Sequence, residues 1–355
     1  MADIKRVLVT LPWPEALLAE LRAALAPAEL FECGRRDRRG IAAALRHVDV
    51  ALIAGDLDAR FVAAPRLRWV HCNHAGLERS AAPAAFDRGL LITSAAGRSA
   101  PALAEHAMLF VLALNSRFDR FLAAQRAHRW GVRGQKQLRA LAGKTLGIVG
   151  LGHSGKELAR RARAFGLRVI AYRRRDADRD CVDALYCEEA GDTLTSLLTD
   201  CDFVVLTLPL SDATRHLIDG AALDAMRADA CLINMARGGL VDEAALLRAL
   251  QAGRIAGAAT DVAEEEPLPA HSPLWDAPNL LLTPHFTPPL QDRDERALRL
   301  LLDNLARYRA DRPLRNQLTP ADRYTPASPG AGDRGRSTRQ LAQRWQRVLR
   351  RLRRR

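Results

Sequence analysis

Four loops of the 355-residue chain hold residue types that can do chemistry, and each follows an apolar run that reads as a strand. The first lies in KTLGIVGLGHSGKELARRARAF, where Gly150, Gly152 and Gly155 form G-x-G-x-x-G between an apolar run and a helical stretch. The first glycine permits a tight turn, the second lets the backbone approach a pyrophosphate, and the third lets helix and strand pack closely. The phosphates then rest on the helix N-terminus, where free N–H groups and the helix dipole favour negative charge. The second loop, INMARGGLVDE, supplies Arg237. The third, TDVAEEEPLP, supplies Asp261 and Glu266, and the fourth, LWDAPNLLLTPH, ends in His285. Open α/β folds bind their ligands at the carboxyl ends of the strands, which is where all four loops fall.

The strand after the glycine-rich turn sharpens the reading of the cofactor. In NAD-binding units an Asp or Glu about 20 residues on accepts hydrogen bonds from the ribose hydroxyls. Here LRVIAY runs into Arg173, Arg174 and Arg175 instead. A guanidinium cannot accept a hydroxyl proton, but it can fork onto a 2′-phosphate, so NADP is favoured over NAD. A competing origin for the three arginines is codon bias. Lysine occupies only positions 5, 136, 144 and 156 among 54 basic residues, the other 50 being arginine.

The elements that must position these loops follow from the alternation of patterns. RVLVTLP, VDVALIAG, LRWVHC and GLLITS read as strands, with PEALLAELRAAL as a helix among them. PALAEHAMLFVLALNSRFDRFLAAQRAHRW reads as one long helix or two in succession. The strand pattern then restarts at KTLGIVG and runs through LRVIAY, DFVVLTLP, ACLINMA, IAGAATDV and LLLTPH, so the economical reading is two α/β units with parallel sheets. QDRDERALRLLLDNLARYRADRPLRNQL closes this part as a long amphipathic helix with a short exit. The net charge is +13, but residues 321–355 alone hold eleven arginines against two aspartates, so the rest is not strongly basic. TPASPGAGDRGRST reads as a linker and QLAQRWQRVLRRLRRR as a basic amphipathic segment that suits an anionic partner at residues 339–355. The longest clean apolar run, AMLFVLAL, is too short to span a bilayer, and the N-terminus has no signal pattern, so a cytoplasmic location is expected. The six cysteines show no CxxC or zinc spacing; reduced structural thiols are expected and no metal site.

These motifs together resemble the D-isomer-specific 2-hydroxyacid dehydrogenase family. The resemblance spans residues 5 to 324, through AGKTLGIVGLG, N-x-x-R-G, D-V-x-x-x-E-P, N-L-L-L-T-P-H and Y-R-A-D-R-P-L-R-N. It implies two Rossmann-like domains, with the cofactor domain (102–285) inserted into a discontinuous substrate domain (1–101 and 286–324), followed by a basic extension at 325–355. It further implies NAD(P)H-dependent reduction of a small 2-keto acid, of glyoxylate or hydroxypyruvate type, to the D-2-hydroxy acid. Such a reaction requires a cation for the carboxylate and a proton donor for the carbonyl oxygen. By the resemblance Arg237 holds the substrate, His285 is the general acid, and Glu266 fixes the His285 tautomer and stabilises its imidazolium. Cofactor contacts fall to Gly150, Gly152, His153, Ser154, Gly155, Arg173, Arg174, Leu208, Pro209, Met235, Ala236 and Asp261. Backbone N–H groups around His74, Ala75 and Gly76 bind the substrate carboxylate. His74 and Phe286-Thr287-Pro288-Pro289 depart from the small residues common in the family, which bears on the identity of the substrate. A homodimer through the cofactor domain is implied. The alternative reading is a dinucleotide-sensing scaffold of corepressor type that uses its basic tail to bind a partner.

Overall fold

Two all-parallel sheets organise residues 3–325, the part of the chain described in this computed structural model. The first sheet has the order β2-β1-β3-β4-β5, from β1 (Arg6–Val9), β2 (Glu29–Glu32), β3 (Val50–Ile53), β4 (Trp69–Cys72) and β5 (Leu91–Ser94). The second has the order β12-β11-β10-β9-β6-β7-β8. Its strands are β6 (Thr145–Val149), β7 (Arg168–Arg173), β8 (Ala184–Cys187), β9 (Phe203–Leu206), β10 (Cys231–Asn234), β11 (Gly257–Thr260) and β12 (Leu280–Leu282). Runs such as TLGIV, FVVL and CLIN are buried at every position because helices cover both faces of a parallel sheet.

The first sheet is flanked by α1 (Glu15–Leu25), α2 (Arg38–Ala44), α3 (Ala59–Ala63) and α4 (Pro83–Asp87). The second carries α5 (Ala100–Ser116), α6 (Phe118–Arg126), α7 (His153–Ala164), α8 (Leu194–Leu198), α9 (Gly220–Ala225) and α10 (Glu243–Gln251). Aspartates cap several of these helices, as where Asp242 accepts from Ala245 N at 2.9 Å. The chain returns to the first sheet through α11 (Arg293–Arg309), whose Leu298, Leu301 and Leu305 share a core with Val7, Val9 and Trp69. Burying each such side chain contributes roughly 1.5–3 kcal/mol, and Tyr308 stacks on Trp69 with ring centroids 5.0 Å apart. The α/β class and the paired parallel sheets thus agree with the reading of the sequence.

The stretch from Ala100 to Arg126 is two helices. Arg117 takes a left-handed conformation (φ 54°) and closes α5 by donating its N–H to Ala113 and Leu114. The strands β2 and β8, absent from the sequence reading, lie at sheet edges and are partly exposed, so neither has an unbroken apolar run. Residues 326–355, with the basic amphipathic segment and its anionic partner, lie outside the described residues. No helix among those described is long and apolar enough to cross a membrane.

Candidate active site

Strand register brings the chemical loops together. Asn234 of β10 stands opposite Thr260 of β11, which stands opposite Leu282 of β12. Arg237, Asp261 and His285 therefore leave three adjacent strand ends a few residues further on. On the other side Asn234 faces Leu206 of β9, and Leu206 faces Val149 of β6, so Leu208, Pro209 and the glycine turn complete the same edge. This edge and the ends of β4 and β5 line one cavity of about 550 Å³. On its wall are His74, Ala75, Gly76, Gly152, His153, Ser154, Leu208, Pro209, Met235, Ala236, Arg237, Asp261 and His285.

The glycine turn fits a dinucleotide on its own geometry. Gly150 has φ 100°, and a Cβ there would collide with the Leu208 backbone, so no other residue is easily accommodated. Gly152 precedes the first turn of α7 with open space where its side chain would be, and no side chain caps the helix. The N-terminal amides of α7 thus face the turn without a protein acceptor, a cradle for an anion. His153 reaches away from it, its Nε2 2.9 Å from Asn316 Oδ1.

Arg173 and Arg174 lie at the end of β7, outside the cavity wall. Arg173 Nη1 donates to Asp178 Oδ2 at 2.7 Å and to the Ala177 carbonyl at 3.0 Å. Lys156 Nζ is 2.7 Å from the other oxygen of Asp178. The two cations hold the Asp178 carboxyl below the usual carboxylate range, Lys156 contributing the most. The sequence reading missed this acid, which stands five residues beyond Arg173.

His285 sits on a strained backbone, with φ 52° directly after Pro284. Its Nδ1 is 2.6 Å from Glu266 Oε2, while Glu266 Oε1 accepts from Ala263 N at 3.0 Å. That pairing leaves Nε2 as the histidine's other proton-transfer atom. Asp261 is buried; its Oδ1 accepts from Thr283 Oγ1 at 2.6 Å and from Phe286 N at 3.0 Å. Thr287 Oγ1 is 2.9 Å from His106 Nδ1, and Pro288 and Pro289 line the cavity, whereas Phe286 is exposed.

Arg237 lies flat against Gly76, where any side chain would overlap its Nη2, so the guanidinium and the His74–Gly76 backbone form one surface. Its Nε donates to Glu78 Oε1 at 2.7 Å and its Nη1 to the Ala236 carbonyl at 2.7 Å. Glu78, at the end of the same VHCNHAGLE loop, ties the two lobes together. The sequence reading did not single it out, because an acid on a polar loop has no local pattern to mark it. His74 Nε2 stands 3.7 Å from Asp56 Oδ1. Among the described residues no group of three or more His, Cys, Asp or Glu could hold a metal ion.

Comparison with known proteins gives the same picture. Residues 108–287 match the model of the D-isomer specific 2-hydroxyacid dehydrogenase, NAD binding domain. A glyoxylate reductase of Korarchaeum cryptofilum is 34% identical over 270 residues, 73% of this chain and 79% of that protein. An (S)-sulfolactate dehydrogenase of Chromohalobacter salexigens is 36% identical over 258 residues, 71% of this chain and 80% of its own. The fold is similar to that of a D-isomer specific 2-hydroxyacid dehydrogenase from Xanthobacter autotrophicus Py2 solved in complex with NADPH and MES. That likeness has a TM-score of 0.74 at 30% identity and covers 90% of this chain and 99% of the other.

Proposed function

The chain belongs to the D-isomer specific 2-hydroxyacid dehydrogenase family, and on that footing we propose that it reduces a small 2-keto acid to the D-2-hydroxy acid with NADPH. It is an NAD(P)-dependent oxidoreductase acting on 2-hydroxy acids. The nicotinamide, when bound, supplies the hydride to the keto carbon. Arg237 and the backbone N–H groups of Ala75 and Gly76 hold the substrate carboxylate. His285 passes a proton from Nε2 to the carbonyl oxygen while Glu266 holds Nδ1. Asp261 contacts the nicotinamide end, and the turn from Gly150 to Gly155, with His153 and Ser154, receives the pyrophosphate. Leu208, Pro209, Met235 and Ala236 form the wall beside the dinucleotide. The observation that carries this reading is the 2.6 Å contact between Glu266 and His285 on the same cavity as Arg237.

Arg173 and Arg174 favour NADP over NAD, since a 2′-phosphate gives the Arg173 guanidinium a second anion beside Asp178. Exposed apolar side chains on α5 and α6, with Trp130 beyond them, support a homodimer through this lobe. A panel of 2-keto acids with NADPH and NADH tests the reading. Glyoxylate or hydroxypyruvate is turned over, NADPH is used with the higher kcat/KM, and His285→Ala lowers kcat by about 10²–10⁴-fold. Absence of turnover across the panel would favour a dinucleotide-sensing scaffold.

A further inference from the structure

Resting on the reductase reading, we propose that the substrate carries a second oxyanion group beyond its keto carbon, and that Arg98, with Arg293 and His74, receives it. Arg98 follows β5 and Arg293 opens α11; both line the same cavity as Arg237 and His285. The acids of that wall are already engaged. Glu78 pairs with Arg237, Asp261 accepts from Thr283 and Phe286, and Asp322 accepts from Thr319. Among the described residues Arg98 has no carboxylate at ion-pair distance. With the Asn73 amide turned so that its oxygen faces the donors, that oxygen accepts from Arg98 Nη1 at 3.2 Å and from Trp13 Nε1 at 3.1 Å. Burial and the neighbouring Arg293 both push the Arg98 guanidinium below its usual value; Asp294, bonded to Arg293 Nε at 3.3 Å, opposes them. A partly buried cation beside a second cation is costly unless an anion joins them.

A buried imidazole feels the same cations. Trp69 Nε1 donates to Thr93 Oγ1 at 2.9 Å, and His71 Nδ1 lies 3.0 Å from the same oxygen. The other ring nitrogen of His71, Nε2, is buried without a hydrogen-bond partner. Arg98 and His74 are near enough to disfavour its protonation. Two guanidiniums and His74, with Asp56 3.7 Å from it, thus line this side of the cavity. Glyoxylate has a single carboxylate, which Arg237 and the Ala75–Gly76 backbone take. It brings nothing to Arg98.

Steady-state kinetics of the full chain with NADPH, on 2-keto acids that differ in the group carried on C3, tests this. Pyruvate is compared with oxaloacetate, 3-sulfopyruvate and 3-phosphonopyruvate, which distinguish a carboxylate, a sulfonate and a phosphonate. At least one dianion is expected to exceed pyruvate in kcat/KM by about tenfold or more, mostly through KM, the size of one charge-assisted contact. Arg98→Gln should erase that preference and Arg98→Lys should keep part of it, with Arg293→Gln as the second variant should the first not fold. Pyruvate preferred over all three, or an equal loss on pyruvate and the dianion in a folded variant, would overturn the proposal. If no 2-keto acid reacts at all, the reductase reading fails separately. The second-anion site is then read by calorimetry with NADPH present: malonate binding more tightly than acetate, and less so in Arg98→Gln, supports it, and equal binding rejects it.

Discussion

His71 shows how one atom's surroundings become a property of the whole fold. It is completely buried on β4, and burial, reinforced by Arg98 and His74, lowers its pKa from the ordinary 6.5 to about 3. The unfolded chain therefore binds a proton between those pH values that the folded chain refuses. Stability is full above pH 6.5 and is lost as pH falls toward 3, with a slope of about 1.4 kcal/mol per pH unit from this residue. Urea midpoints from pH 7 to 4.5 check this: His71→Met should flatten the dependence, and unchanged slopes would remove His71 as its source. Residue placement was legible in the sequence where a motif surrounded it: Arg237 and His285 line one cavity and Glu266 contacts His285. It was not legible for Arg98, one of 50 arginines, or for Asp178, because their meaning comes from partners distant in sequence or from a turn with no motif.

At the scale of elements, the strands that feed the cavity could be read because a buried parallel strand is an unbroken apolar run. The edge strands β2 and β8 and the five-residue helices α3, α4 and α8 escaped, since they are too short or too exposed to show a period. The contact between the loops after β4 and β10 could not be read either; it depends on two lobes meeting. Glu78 there holds Nε of Arg237 and leaves Nη2 against Gly76, where a carboxylate would dock. Glu78→Gln should loosen that arrangement and raise KM for the keto acid by about tenfold while changing kcat less. A fall in KM would mean that Glu78 obstructs the site instead.

On the scale of the molecule, the large apolar side chains left outside among the described residues lie mainly between Leu109 and Trp130: Leu109, Leu112, Phe118, Leu122 and Trp130. Neighbouring exposed apolar residues mark an association surface. Light scattering should give twice the 39.0 kDa chain mass, and Leu109→Glu with Leu112→Glu should give monomers. A wild-type monomer at micromolar concentration would contradict the dimer. The crossing points of the chain have a different consequence. It leaves the first sheet at Ala100 and comes back just after Thr287, and His106 bonds Thr287 across 181 residues of sequence. We propose that this long excursion, which departs and returns at one spot, is a guest carried by a host, and a guest whose ends meet can be lifted out. Residues 98–290 expressed alone should fold and bind NADPH by fluorescence titration. The same junction is where a different guest could be grafted to give the host a new cofactor.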